Sequence, residues 1–120
     1  MNTLRTALLV TVVAAGSMTL TGCTAAEPIE LGSDSIVLDV RTDAEFAAGH
    51  LDGAVNLDLS GGDLASAIPT LDPGAEYVVY CKSGNRSSQA TAMLEQAGME
   101  VTDAGSMQQA SEATGLEIVR

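Results

Sequence analysis

A cysteine at the end of an apolar run is the residue of this chain best suited to chemistry. The run Tyr77 to Tyr80 has the composition of a buried strand, and Cys81 follows it directly. Residues 82–85 then form a short glycine-containing loop, and a helical pattern begins near Arg86. Such a loop can curl around the sulfur and turn its backbone N–H groups toward an anion. The pattern therefore predicts a reactive thiolate beside an anion-binding loop.

Positive charge is scarce in the chain and is concentrated in this loop. The sequence has 16 acidic and five basic residues, and two of the basic residues are Lys82 and Arg86. A net charge of −11 makes nucleic acid and anionic lipid headgroups poor partners. We therefore predict no nucleic-acid partner and a small anionic substrate at the loop.

The N-terminal residues resemble a bacterial lipoprotein signal. Residues 1–22 have the form of an export signal, because Arg5 precedes the apolar run Ala7 to Leu20, which is too short to cross a bilayer comfortably. The run ends in a tetrapeptide similar to a lipobox, formed by Leu20, Thr21, Gly22 and Cys23. We expect cleavage before Cys23 and attachment of diacylglycerol to its sulfur. Alternatives are a cleavage site nearby, with Cys23 incidental, and a plain membrane anchor.

Lipidation at Cys23 predicts where the protein resides and what becomes of its second cysteine. Residues 23–33 would be a lipidated tether that holds the domain on the outer side of the cell membrane. Cys81 would then be the one free thiol, and no intramolecular disulfide could form. A lone thiol in that compartment is either buried and inert or kept for its reactivity, and the loop favours the second.

Residues 34–120 have the length and pattern of one α/β domain. Thr42 and Glu45 form a predicted capping box, which opens a short helix that Gly49 ends. Further helices are predicted at residues 63–71, 86–97 and 106–113. Strands are predicted at residues 35–40, 54–57, 77–80, 99–102 and 117–119. Their alternation predicts a small parallel β-sheet with helices on both faces.

Two separated motifs resemble the signatures of the rhodanese-like superfamily of sulfurtransferases. The first is VLDVRTDAEFAAGHLDGAVNL, from Val37 to Leu57, and the second is CKSGNRS, from Cys81 to Ser87. Together with their spacing, these motifs extend the resemblance over residues 34–119. The chain departs from the family where paired glycines usually precede a tryptophan, because it has Gly105, Ser106 and Met107 there and no tryptophan.

The resemblance implies a single-domain rhodanese of the thiosulfate sulfurtransferase type. Cys81 would attack a small anionic donor such as thiosulfate and hold its outer sulfur as a persulfide. A thiol or cyanide acceptor would then remove that sulfur. The substrate-binding residues would be those of the loop: Lys82, Ser83, Gly84, Asn85, Arg86 and Ser87. Neither a cofactor nor a metal site is predicted, since one histidine and one free thiol give no recognisable ligand spacing.

The remaining polar residues are interpreted as structural. His50 is the single histidine of the chain and is expected to make a structural hydrogen bond. Because the chain has no second histidine to act as a base, a serine triad is not credible. Asp39, Arg41 and Glu45 are expected to form an internal network that ties the first strand to the first helix.

Two other functional classes stay open. Cysteine-dependent phosphatases and arsenate reductases place five residues between cysteine and arginine, whereas this chain has four between Cys81 and Arg86. A membrane-tethered carrier of sulfane sulfur, or a docking module, would keep the fold and use Cys81 only stoichiometrically.

Overall fold

The computed structural model describes residues 26–120. The predicted signal peptide, the lipobox and Cys23 lie outside the described residues. Within them, none of the helices is long and apolar enough to cross a membrane.

Strands and helices alternate along the described chain. The order is β1 Ser35–Asp39, α1 Asp43–Ala48, β2 His50–Leu51, β3 Val55–Asn56, α2 Asp63–Ala67, a 3₁₀ turn at Ile68–Thr70, β4 Glu76–Cys81, α3 Asn85–Gln96, β5 Glu100–Ser106, α4 Met107–Thr114 and β6 Ile118–Val119.

The predicted α/β fold is confirmed. Four strands form a parallel sheet in the order β3-β1-β4-β5, with β1 and β4 in its centre. Side chains of α2 and α3 cover one face of the sheet, while α4 and β2 cover the other. Because successive strand residues point to opposite faces, Tyr77, Val79 and Cys81 of β4 lie on the α3 face.

Local sequence signals explain how α1 begins and ends. The Thr42 hydroxyl accepts from the Glu45 N–H at 3.3 Å, and the Glu45 carboxylate accepts from the Thr42 N–H, which completes the predicted capping box. Gly49 caps the other end, where its N–H donates to the Phe46 carbonyl at 3.2 Å. This short helix therefore has a fixed place at the carboxyl end of β1.

The last strand differs from the expectation of one parallel sheet. The predicted strand at 117–119 forms as β6, but it pairs antiparallel with β2 in a separate two-stranded sheet. The sequence analysis did not predict β2, whose two residues give no periodicity. In the main sheet, β5 continues to Ser106, four residues beyond the predicted end at 102.

The predicted tether joins the domain earlier than expected. The Ile29 N–H donates to the Ala113 carbonyl at 2.8 Å, and the side chains of Ile29 and Leu31 pack on the core face covered by α4. Burial of these two apolar side chains stabilises the segment on the domain, so part of the predicted tether packs against residues 34–120.

Candidate active site

The cysteine lies where the central strand meets a helix N-terminus. Cys81 is the last residue of β4, and α3 begins at Asn85, one residue before the predicted start. Gly84 precedes the helix in the left-handed region, with φ of 94°, a conformation that side chains other than glycine rarely adopt. The predicted strand, loop and helix around the cysteine are thus present.

Loop donors turn toward the Cys81 sulfur. The Gly84 N–H donates to Sγ at 3.0 Å. Burial raises the pKa of the Cys81 thiol, but hydrogen bonds outweigh this effect and the pKa is lowered overall. The groups that lower the pKa are the N–H and the hydroxyl of Ser87 and the N–H groups of Gly84 and Ser83, and of these the Gly84 N–H makes the direct hydrogen bond to Sγ. The positive end of α3 acts in the same direction, so the site favours a thiolate.

Cys81 is covered in this conformation. Its exposed fraction is 0%, and it packs in the core cluster beneath α3. The sulfur is therefore closed to solvent in this conformation. A cavity of about 530 Å³ lies elsewhere, between residues 26–30 and the β5–α4 side of the sheet.

An irregularity in β5 forms the wall beside the cysteine. Val79 pairs with Asp103 and Tyr80 with Gly105, so Ala104 is an extra residue that bulges from the ladder. The bulge places Ser106 in register with Cys81, and Ser106 caps α4 by accepting from the Gln109 N–H at 3.1 Å. The divergent Gly105–Met107 segment, without its tryptophan, thus adjoins the cysteine loop.

Two glycines lie where the wall and the loop meet. A Cβ on Gly84 would lie 3.7 Å from the Cα of Gly105, and Gly105 itself has φ of 76°. The Ser87 hydroxyl joins the two segments, since it lies 3.1 Å from the Gly84 carbonyl oxygen and 3.4 Å from that of Gly105.

The six predicted binding residues of the loop fall into two groups. The side chains of Lys82, Ser83 and Asn85 are exposed at its outer surface, whereas Gly84 and Ser87 lie against the sulfur. The side chain of the sixth residue, Arg86, is directed toward α1.

Arg86 makes an ion pair that the sequence analysis did not predict. Its guanidinium makes two hydrogen bonds to the Glu45 carboxylate of α1, from Nη1 to Oε2 at 2.8 Å and from Nη2 to Oε1 at 3.2 Å. The expected network of Asp39, Arg41 and Glu45 is correspondingly divided, because Asp39 pairs with Arg41 and Glu45 pairs with Arg86. Of the two loop cations, Lys82 has no ion-pair partner within residues 26–120.

A buried network at the end of β1 includes a residue that sequence reasoning missed. Asp39 and Arg41 are 0% and 5% exposed, and Arg41 donates to both Asp39 carboxylate oxygens. The Tyr80 hydroxyl donates to Asp39 Oδ2 at 2.7 Å and accepts from the Leu51 N–H at 3.0 Å. The sequence gave no signal for the hydrogen bond between Tyr80 and Asp39, because a tyrosine in an apolar strand can equally be a packed core residue.

His50 has the structural role that was predicted for it. Its Nδ1 lies 2.9 Å from the Phe46 carbonyl oxygen, and its ring stacks on the Phe46 ring with centroids 3.8 Å apart. In the described part of the chain, no group of three or more potential metal ligands comes together.

Replacing Ser87 with alanine is expected to raise the pKa of Cys81. The substitution removes the hydroxyl that helps to stabilise the thiolate, while the helix N–H groups remain. Titration of the thiolate by its ultraviolet absorbance measures the change. Ser88→Ala is the matched control, because Ser88 is an exposed neighbour on the same helix turn.

The same titration has a consequence for stability. A thiol whose pKa is lower in the folded state stabilises the fold fully above its unfolded pKa, and this contribution is lost as the pH falls through the folded pKa. Between the folded and the unfolded pKa of Cys81, the unfolding free energy should therefore rise less steeply with pH in Ser87→Ala than in the wild-type protein. An unchanged titration in Ser87→Ala would contradict the assignment of its hydroxyl to the thiolate.

Comparison with known proteins agrees with this geometry. Residues 24–110 match the family model described as the rhodanese-like domain. YtwF of Bacillus subtilis, provisionally described as a sulfurtransferase, is 35% identical over 77 residues, which cover 64% of this chain and 73% of YtwF. The thiosulfate sulfurtransferase GlpE of Pseudomonas putida (strain KT2440) is 40% identical over 60 residues, which cover 50% of this chain and 53% of GlpE. The match thus spans about half the length of GlpE.

Solved structures show the same fold. A rhodanese-related protein of Thermoplasma volcanium superposes with a TM-score of 0.62 at 27% identity, covering 78% of this chain and 97% of that one. A rhodanese of E. coli, solved with anions, gives a TM-score of 0.58 at 28% identity, covering 72% of this chain and 98% of that one. These relationships support sulfurtransferase activity in general.

Proposed function

Because the chain belongs to the rhodanese-like domain family, we propose that it moves sulfane sulfur from thiosulfate, or a similar small anionic donor, to a thiol or cyanide acceptor. The observation that carries the proposal is the position of Cys81. Its sulfur accepts a 3.0 Å hydrogen bond from Gly84 at the N-terminus of the 12-residue helix α3. This is a setting that favours a thiolate nucleophile.

The reaction proceeds in two displacements on sulfur. The Cys81 thiolate attacks the sulfane sulfur of thiosulfate, a new S–S bond forms, and sulfite leaves with the electron pair of the bond that breaks. The product is a Cys81 persulfide. A cyanide or thiolate acceptor attacks the outer sulfur, giving thiocyanate or a persulfide of the acceptor, and the Cys81 thiolate leaves. No net oxidant or reductant is required.

The loop supplies binding and stabilisation for these steps. Inward N–H groups, such as that of Gly84, stabilise the thiolate before attack and the persulfide anion after it. Lys82 is exposed on the loop and attracts the dianionic donor. Because Cys81 is 0% exposed, donor binding includes a displacement of the loop that uncovers the sulfur.

Phosphoryl or arsenate chemistry is less well supported. Four residues separate Cys81 from Arg86, which gives a small cradle, and the Arg86 guanidinium is engaged by Glu45. A tetrahedral oxyanion needs more inward donors and a free guanidinium.

Sulfur loading from competing donors tests the proposal. Persulfide formation on Cys81 is measured before steady state with thiosulfate and with mercaptopyruvate, and hydrolysis of a phosphate ester is measured in parallel. Thiosulfate should load fastest, and Lys82→Gln should raise its KM by roughly 10-fold through loss of one charge-assisted contact. Faster loading from mercaptopyruvate, or hydrolysis of the ester, would contradict the proposed donor.

Turnover separates the enzyme from a sulfur carrier. With thiosulfate and cyanide in excess, an enzyme forms many equivalents of thiocyanate for each Cys81, whereas a stoichiometric carrier forms one. We expect multiple turnovers, and a single equivalent would assign the carrier role instead.

The proposal also includes lipid anchoring at Cys23 on the outer side of the cell membrane. It is supported by the order of a basic residue, an apolar run and a lipobox in residues 1–23. Cys23→Ser is expected to abolish incorporation of a labelled fatty acid, with little effect on the activity of the purified protein, because Cys81 remains. Cys81→Ser is the matched control and should retain the label. Label that survives Cys23→Ser would rule the lipobox out.

A further inference from the structure

One ion pair connects the cysteine loop to a distant helix. Arg86, the second residue of α3, and Glu45, on α1, are 41 residues apart in sequence and join through two hydrogen bonds. Both side chains are partly covered, at 23% and 32% exposed. A fork-on-fork contact of this kind fixes the direction of a guanidinium as well as its distance.

Glu45 is itself held in place. Its Oε2 atom accepts from the Thr42 N–H at 3.3 Å as well as from Arg86, so the capping box of α1 orients the carboxylate. Hydrogen bonding to Arg86 lowers the pKa of Glu45, and the same contact raises the pKa of Arg86. Both groups are therefore charged at neutral pH, and the pair is fixed before a donor arrives.

The pair changes the electrostatics of the sulfur site. Arg86 lies close enough to Cys81 for a favourable interaction with the thiolate. A guanidinium whose hydrogen bonds are directed at a carboxylate has fewer to offer an arriving anion, and its charge is partly neutralised. The exposed Lys82 is then the one loop cation without an ion-pair partner in residues 26–120.

We infer that Glu45 is a positioning residue for sulfur transfer, which holds Arg86 against α1 and withholds its guanidinium from the anionic donor. This inference rests on the proposed function. It gives the loop a weaker hold on anions than its two cations would provide. Release of sulfite, which is also an anion, benefits from the same restraint.

Glu45→Gln tests the inference, because glutamine keeps the size and an acceptor oxygen but loses the charge. The KM for thiosulfate should fall by roughly 3- to 10-fold as Arg86 becomes available to the donor. The thiolate titration midpoint of Cys81 should also move to lower pH. Asp43→Asn is the matched control, since it removes one exposed carboxylate from the same helix, and both readouts should match wild type.

A double variant shows whether Glu45 acts through Arg86. In an Arg86→Gln background, Glu45→Gln should change neither readout. Effects that persist there, or a Glu45→Gln protein that behaves like Asp43→Asn, would overturn the inference. Glu45→Asp, which keeps the charge but shortens the side chain, is the second variant and should release Arg86 in the same direction.

The two readouts separate failure of this inference from failure of the proposed function. The thiolate titration needs no donor. If the wild-type protein transfers no sulfur from thiosulfate, the proposed donor is wrong, and the titration of Glu45→Gln still decides whether Glu45 restrains Arg86.

Discussion

A Cys81→Ser protein is expected to lose sulfur transfer while keeping its fold. A hydroxyl is nearly isosteric with the thiol and can accept the Gly84 N–H, but it forms no persulfide. Turnover with thiosulfate and cyanide should fall by more than about 1,000-fold. The unfolding free energy should change by no more than about 1 kcal/mol, since the site stays filled and the hydrogen bond stays satisfied.

The measurement needs a background in which Cys81 is the one thiol. In a Cys23→Ser protein, mass spectrometry after thiosulfate treatment should show the gain of one sulfur atom. The Cys23→Ser, Cys81→Ser protein should show no gain. Ser88→Ala in the same background controls for substitution near the loop, because Ser88 is exposed on α3. Turnover that survives in a folded Cys81→Ser protein would refute the persulfide mechanism.

The cysteine loop could be predicted from the sequence because its signals are local. An apolar run, one glycine and a helical period lie within 20 residues of Cys81, and each of them predicts the local structure of its own segment. The capping box of α1 is equally local, since Thr42 and Glu45 are three positions apart. The structure places these features at the predicted positions, with shifts of one residue at the start of α3.

Contacts between distant segments could not be predicted in the same way. Arg86 follows Cys81 closely, which suggested a donor-binding cation, but helical geometry carries its side chain to Glu45 on α1. Tyr80 stands in an apolar strand and gave no sign that its hydroxyl joins a buried carboxylate. In each case the partner is 41 residues away, and no spacing rule relates the two positions.

The segment before residue 34 illustrates a different limit. Its small, polar and acidic residues indicated a tether, yet Ile29 and Leu31 pack on the domain. Composition averages over a segment, whereas docking depends on a few side chains that meet a complementary face. The fold class was predictable because it follows from the alternation of whole elements.

Asp39→Ala is expected to destabilise the fold by about 3–5 kcal/mol, a large part of the stability of a small domain. Asp39 is 0% exposed and accepts hydrogen bonds from the backbone and guanidinium of Arg41 and from the Tyr80 hydroxyl. Arg41 also donates to the Gly49 carbonyl at 2.6 Å, so this network ties β1 to the end of α1. Without the carboxylate, Arg41 is a buried charge with no counterion.

Urea unfolding of a double-variant cycle distinguishes charge from packing. Asp39→Ala and Arg41→Ala should each destabilise the protein, but the double variant should lose less than the sum of the two, because neither charge is then left unpaired. Tyr80→Phe, which leaves the Leu51 N–H without its acceptor, should cost about 1–3 kcal/mol. Strict additivity of Asp39→Ala and Arg41→Ala would mean that the pair contributes through its volume alone. A favourable coupling would mean that the buried ion pair stabilises the carboxyl end of β1. The pair would then also help to fix the position of α1 and of Glu45.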